Sequence, residues 1–259
     1  MYTSRYDLAS HFEPWSKRKR VIYERRLDQI GSPVGEANRL CDVGCGDGQF
    51  LELAAARGWD PSGVELNPPA ALRARERGAH VWEGGVESLD DLPWGSFDLV
   101  TAWDAIEHTP TPREFATRMS HLAKPRATLA LSTLNASSLV ARTFGNRWSM
   151  IVEDHYTYWH PRSLTRLLTS CGWEAPRSRT LGVGRDFFLG LDSIIERLKG
   201  NPGSGDGASI HQPHARASTD WGTGRVGIGV ERLLNTVLSA TNTGVSLEVF
   251  ATAPYAGRR

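Results

Sequence analysis

The sequence predicts an α/β fold, a mostly parallel sheet wound on both faces by helices. Three observations carry this expectation. Short apolar runs alternate with amphipathic stretches from residue 39 to residue 171. A glycine-rich turn, LCDVGCGDGQF at 40–50, joins the first apolar run to the first helical one. An acid, Glu65, closes the second run. In such sheets ligands lie at the carboxyl ends of the strands, near the point where strand order reverses, so the loops after each strand are the informative ones.

Taken in order, residues 14–30 mix apolar and basic positions at helical spacing and predict an amphipathic lead-in helix. Residues 39–43 read as a buried strand, followed by the helical pattern FLELAAARG. A second strand is expected over 61–66. The helix after it, PPAALRARERG, has proline near its start and glycine at its stop. Residues 79–82 and 97–103 read as the third and fourth strands. A helix over 112–122, a fifth strand over 127–132 and a helix over 161–171 follow, the last stopping at Gly172. Residues 200–224 are rich in Gly, Ser, Pro and His without apolar periodicity, the texture of a mobile loop or lid. Residues 226–238 then read as a helix and 246–252 as a final strand.

One domain is expected over 1–259: a helical extension (1–35), a core (36–182), a cap insertion with its flexible loop (183–243) and a last strand (244–255). A chain of 259 residues, 40% hydrophobic and 23% charged, buries a large core without disulfides. Thirty basic and 29 acidic side chains leave a formal charge of +1, no electrostatic footprint for nucleic acid. Three cysteines without paired spacing favour a reduced, cytoplasmic setting. The charged N-terminus is not a signal peptide, and no run approaches the ~20 apolar residues of a membrane span, so a soluble protein is expected.

Gly44, Gly46 and Gly48 permit the left-handed backbone and close approach that a ligand-binding turn requires. The helix start behind them offers N–H groups to an anion. Asp42, at the end of the first strand, is placed to position a polar group. Glu65 is placed to accept hydrogen bonds from two ribose hydroxyls. A nicotinamide dehydrogenase would show G-x-G-x-x-G instead of this G-x-G-x-G, without the strand-end acid.

These residues resemble the class I S-adenosylmethionine (SAM) dependent methyltransferases. DVGCGDG at 42–48 is similar to their first motif, and Glu65 to their ribose-binding acid. EGGVESL at 83–89 resembles the stretch that runs along adenine, Phe97-Asp98 the start of their fourth strand, and LAKPRATLALST at 122–133 their fifth-strand segment. The resemblance implies a Rossmann-like sheet of seven strands, mostly parallel with an antiparallel edge strand. It implies SAM as cofactor, leaving S-adenosylhomocysteine (SAH), with Asp42, Gly44, Cys45, Gly46, Gly48, Glu65, Leu66, Gly85, Val86, Glu87 and Trp103 around it. Two departures stand out. Gly85 replaces the acid that usually meets the adenine amino group, which transfers that role to the backbone near Val86 or to Glu87. Arg126-Ala127 replaces paired glycines at the fifth-strand turn.

The acceptor side should follow the fourth and fifth strands. Ile106-Glu107-His108, Asn146-Arg147-Trp148, His155 and SLTRLLTSCGW at 163–173 resemble the ubiquinone-type O-methyltransferases. Two readings follow. In one, His155 or His108, next to Glu107, takes the proton of an acceptor hydroxyl. In the other, Asp104, Glu107, His108 and His155 hold a divalent metal, as in the metal-using 2′-O-methyltransferases of small RNAs, and the metal activates the hydroxyl. The bland alternative makes Glu107-His108 a strand-end cap. Trp148, Tyr156, Tyr158 and Trp159 either wall an aromatic acceptor or pack a lid onto the sheet. Asp98 is expected to be structural, capping loops under the sheet.

The expectation is an O-methyltransferase for a small aromatic or glycosidic acceptor: a sugar, a phenol or quinone, or a natural product. A homodimer contact or a pocket cap is expected from the apolar faces at 186–199 and 226–238. The alternatives are a metal-dependent RNA 2′-O-methyltransferase, disfavoured by the charge balance, and a non-catalytic SAM-fold binding protein.

Overall fold

The computed structural model describes residues 12–35, 38–182 and 235–255. The loop expected at 200–224, the helix expected at 186–199 and most of the one expected at 226–238 lie outside these residues.

The strands are β1 (Arg39–Val43), β2 (Asp60–Glu65), β3 (His80–Glu83), β4 (Phe97–Trp103), β5 (Ala123–Leu134), β6 (Glu174–Leu181) and β7 (Ser246–Thr252). They form one seven-stranded sheet in the order β3-β2-β1-β4-β5-β7-β6. Strands β3 to β5 pair in parallel, while β7 runs antiparallel between β5 and β6. The helices are α1 (Phe12–Ile30), α2 (Gln49–Ala55), α3 (Pro68–Glu76), α4 (Pro112–Leu122), α5 (Leu139–Phe144) and α6 (Pro161–Ser170). A further short helix runs over 235–241. Among the described residues no helix is long and apolar enough to cross a membrane.

Period-2 alternation sorts the strand residues onto two faces. Leu40, Leu99 and Ala130 pack with Leu27, Phe50, Leu51 and Ala74 from the α1, α2 and α3 side. Cys41, Val100, Leu129 and Leu131 pack with Met119, Leu164, Leu168 and Trp173 from the α4 and α6 side. Strand order reverses between β1 and β4, so the loops after these two strands open at the switch point.

Register explains how α1 is docked. Trp103 pairs with Ser132, Ser132 with Glu248, and Glu248 with Arg179, a row crossing four strands. From α1, the buried Arg26 donates to Ser132 Oγ at 2.8 Å and to Glu248 Oε1 at 3.2 Å, and its guanidinium stacks 4.3 Å over the Trp103 ring. Arg179 donates through Nε to the other Glu248 oxygen at 2.9 Å and through Nη2 to Gln29 of α1. Each buried charge therefore has an opposite charge and hydrogen bonds, the condition for tolerating it away from water.

Most elements fall within a residue or two of expectation. Strand β6 was not marked by the sequence pattern: its edge position leaves alternate residues partly exposed, and EAPRSRTL shows no apolar run. Helix α5 was also unmarked, being only six residues long. Strand β5 starts four residues earlier than expected, with a register shift against β4 between Phe97 and Leu99. Arg126 takes the left-handed conformation (φ 65°) at the turn where the resembled family carries glycine, its N–H bonded to Ala253 O at 3.1 Å. Asp98 is structural as expected, taking Lys124 Nζ at 2.9 Å and the Arg39 N–H at 3.1 Å.

Candidate active site

The glycine turn follows β1 with Gly44, Gly46 and Gly48 at φ of 79°, 58° and 79°. At Gly48 a Cβ would come within 2.8 Å of the Ala74 Cβ, so glycine here lets the turn pack against α3. At Gly44 a Cβ would meet the Ala105 Cβ at 2.9 Å, which places the turn directly against the segment after β4. Cys45 is a packing residue, buried against Gly63, where an added Cβ would clash with its Sγ.

Glu65 ends β2 beside this turn. Its Oε2 accepts the Gly46 N–H at 2.7 Å and its Oε1 the Asn67 N–H at 2.8 Å. Two main-chain donors fix the carboxylate plane, and each oxygen retains acceptor capacity toward a ribose diol. Burial raises its pKa, opposed by these hydrogen bonds. Asp42 is buried and accepts Thr101 Oγ1 at 2.7 Å from its register partner on β4. Burial first, and the nearby Glu65 charge, push its carboxyl up to about 7, with Thr101 and Arg26 opposing. The positive-φ glycines, the oriented Glu65 and the buried Asp42 fit the polar, ribose-bearing cofactor that the motif implies.

Past Glu65, Leu66 is exposed. In the β3–β4 loop, Val86 is buried in the core, and Gly85 faces Glu87 Oε2, 3.1 Å from an added Cβ. Glu87 Oε1 accepts the Thr109 hydroxyl at 2.5 Å, so Glu87 ties this loop to the one after β4. Trp103 packs edge-on against Phe50 (5.3 Å) beneath Arg26. Tyr23 of α1 also packs edge-on against Phe50, at 5.4 Å. Burial and the charges of Asp42, Asp104 and Asp47 raise the Tyr23 hydroxyl pKa. Tyr23 and Arg26 were not marked as site residues by the sequence. The only available signal was an arginine beside the apolar stripe of the lead-in helix.

After β4, Glu107, His108 and His155 come together, with ligand atoms within 4.8 Å of one another. The two imidazoles stand 4.7 Å apart, ring centre to ring centre. His108 Nδ1 meets the Asp154 carbonyl at 2.9 Å, and His155 Nδ1 the Met150 carbonyl at 2.8 Å. A carbonyl only accepts, so both Nδ1 atoms carry a proton, and the neutral form of each ring has its lone pair on Nε2. The Tyr156 N–H donates to the Glu107 carbonyl at 2.8 Å and holds the His155 loop to the β4 loop. Glu107 is buried and accepts Thr133 Oγ1 at 2.9 Å. Burial first, then the Asp104 charge, push its carboxyl up to about 8. Burial lowers the His108 pKa, keeping the ring neutral at physiological pH.

Asp104 stands apart from this trio. Its carboxylate accepts Ser132 Oγ at 2.8 Å and lies 3.9 Å from Arg26 Nη2. Trp148 and Tyr158 pack in a minor core cluster with Val140 and Ala141, so they hold the loop down; Tyr156 is exposed.

The comparisons with known proteins agree with this architecture. A methyltransferase-domain family description matches residues 15–176. A ubiquinone biosynthesis O-methyltransferase of Aromatoleum aromaticum is 31% identical over 215 residues, covering 74% of this chain and 88% of that protein. The chain belongs to the class I SAM-dependent methyltransferases. A second ubiquinone biosynthesis O-methyltransferase, of Azoarcus sp., is 34% identical over 140 residues; the match covers 50% of this methyltransferase and 57% of the relative. The chain thus spans little more than half the length of that relative. Among solved structures, a SAM-dependent methyltransferase of Archaeoglobus fulgidus is 18% identical with TM-score 0.57, covering 90% of this chain and 94% of its own. One of Thermotoga maritima, described as a possible histamine N-methyltransferase, is 17% identical with TM-score 0.59 over 95% of each chain. At such identities the likeness is one of fold.

Proposed function

We propose that this methyltransferase moves the methyl group of SAM to a hydroxyl oxygen of a small acceptor, a phenol or quinone, a sugar or a natural-product scaffold. The observation that carries the reading is the pair of imidazoles after β4. In each neutral ring Nε2 is the basic atom, and His108 lies on the segment that abuts the glycine turn. Bound SAM supplies an electrophilic methyl group; the protein's part is to align the acceptor and remove its proton. Asp42 and the glycine turn hold the methionine end of the cofactor and Glu65 its ribose. His155, in the half-buried loop, is the base, with His108 beside it. The relatives' printed names support an aromatic hydroxyl as the first acceptor to try.

The test is SAH production with catechols, hydroxyquinones and glycosides. His155→Ala is expected to lower kcat/KM by ~10²–10⁴-fold on the best acceptor. Unchanged turnover in both His155→Ala and His108→Ala would exclude the imidazole base.

A second reading is favoured by the close grouping of Glu107, His108 and His155. Two imidazoles and one carboxylate suit manganese, cobalt or zinc better than magnesium, which takes oxygen donors. The Nδ1–H bonds to main-chain carbonyls would orient both rings for such an ion, whose role would be to lower the acceptor's hydroxyl pKa. Because Glu107 holds its proton to about pH 8, binding must displace it, so affinity should rise steeply between pH 6.5 and 8.5. Turnover insensitive to chelator and to added metal would remove this reading and leave the imidazole base.

A further inference from the structure

Asp104 takes no part in the trio after β4, yet its side chain is unusually well fixed. Its backbone is in the left-handed region (φ 53°), and its N–H donates to the Ser132 carbonyl at 3.0 Å. Its Oδ1 accepts the Ser132 hydroxyl, which in turn accepts Arg26 Nη2 at 2.8 Å. The remaining oxygen, Oδ2, lies 3.9 Å from that guanidinium, beyond hydrogen-bond reach. The side chain is nonetheless 58% exposed. A relay from the buried Arg26 thus holds a half-exposed carboxylate still at the carboxyl end of β4.

The position of that carboxylate suggests what it meets. The next residue, Ala105, touches the glycine turn at Gly44, where the methionine end of the cofactor belongs. Three residues on is Glu107, in the acceptor group. The Asp104 charge is felt at Tyr23, which packs on Phe50 of α2, and at Glu107. The atom that must lie between cofactor pocket and acceptor is the sulfur carrying the methyl group. That sulfur is positive in SAM and neutral in SAH.

We infer that Asp104 is the counter-charge of the sulfonium and sets the preference of this site for charged SAM over neutral SAH. The inference rests on the reading that the glycine turn and Glu65 bind SAM. Arg26 and Ser132 are positioning residues for it. When the methyl group leaves, the attraction goes with the charge, so the carboxylate favours replacement of product by fresh cofactor.

The test is calorimetric titration of wild type and Asp104→Asn with SAM, SAH and sinefungin, in buffer containing chelator. Sinefungin bears an amine where SAM has the sulfonium, so it separates charge from the methyl group. Asparagine accepts the Ser132 hydroxyl equally well and tolerates positive φ, so the variant keeps its fold. The expected result is a fall of about fivefold in affinity for SAM and sinefungin with SAH affinity held constant. Equal weakening of all three ligands, or no change in any, would overturn the inference while leaving SAM binding established. A folded wild type that binds none of them would overturn the cofactor reading, and this inference with it.

Discussion

At the scale of single residues, burial sets the chemistry more than charge pairing does. Glu107 and Asp42 are buried carboxylic acids, and burial makes each hold its proton toward neutral pH. This has a consequence for stability. The folded-state pKa of Glu107 is raised from 4.5 to about 8, so its contribution is fully present below pH 4.5 and is lost as pH rises through 8. Glu107→Gln, which cannot ionise, should match wild type near pH 5 and melt clearly above wild type at pH 9 by differential scanning calorimetry. A variant that melts lower than wild type at both pH values would show that the buried carboxyl is stabilising as the anion. Asp42, Glu65 and the three glycines were legible in the sequence because a turn at φ > 0 leaves glycine few substitutes. The trio after β4 was legible as residue types. Which of the four candidates meet was not, because Asp104 is itself left-handed (φ 53°) and Glu107 lies in a 3₁₀ turn (Ile106–His108), neither of which any periodicity announces.

At the scale of elements, the least legible feature is the docking of α1. The helix was visible as an amphipathic stretch, but its partner row, Trp103, Ser132, Glu248 and Arg179, comes from four strands whose registers are set across the whole sheet. Strand β6 was missed for a related reason, since an edge strand needs no continuous apolar run. The buried pair of Arg26 and Glu248 also makes a prediction. Glu248→Gln leaves two arginines facing a neutral amide and should cost about 3 kcal/mol in urea unfolding. With Arg26→Met added, the loss should be smaller than the sum of the single losses by at least ~1 kcal/mol. Strict additivity would mean that α1 is held by its apolar contacts alone.

At the scale of the whole molecule, the strand order puts the β1 and β4 loops side by side, and the remaining elements serve that junction. Helix α1 reaches the end of β4 through Arg26, stacked over Trp103 and 3.9 Å from Asp104, and the loop carrying His155 is hydrogen-bonded to the β4 loop through Tyr156. The parallel half of this sheet was readable because alternating short apolar and amphipathic segments have few other solutions. The antiparallel end followed from the resemblance and not from periodicity. On the proposed reading this junction binds SAM, with Glu65 holding the ribose. Its most direct test is calorimetric titration of wild type and Glu65→Ala with SAM, each shown to be folded by circular dichroism. Wild type is expected to bind with a micromolar-range dissociation constant and Glu65→Ala to lose at least ~10-fold, consistent with two hydrogen bonds to a charged acceptor. A folded wild type that takes up no SAM, or a Glu65→Ala variant that binds it equally well, would show that this junction is not the SAM site.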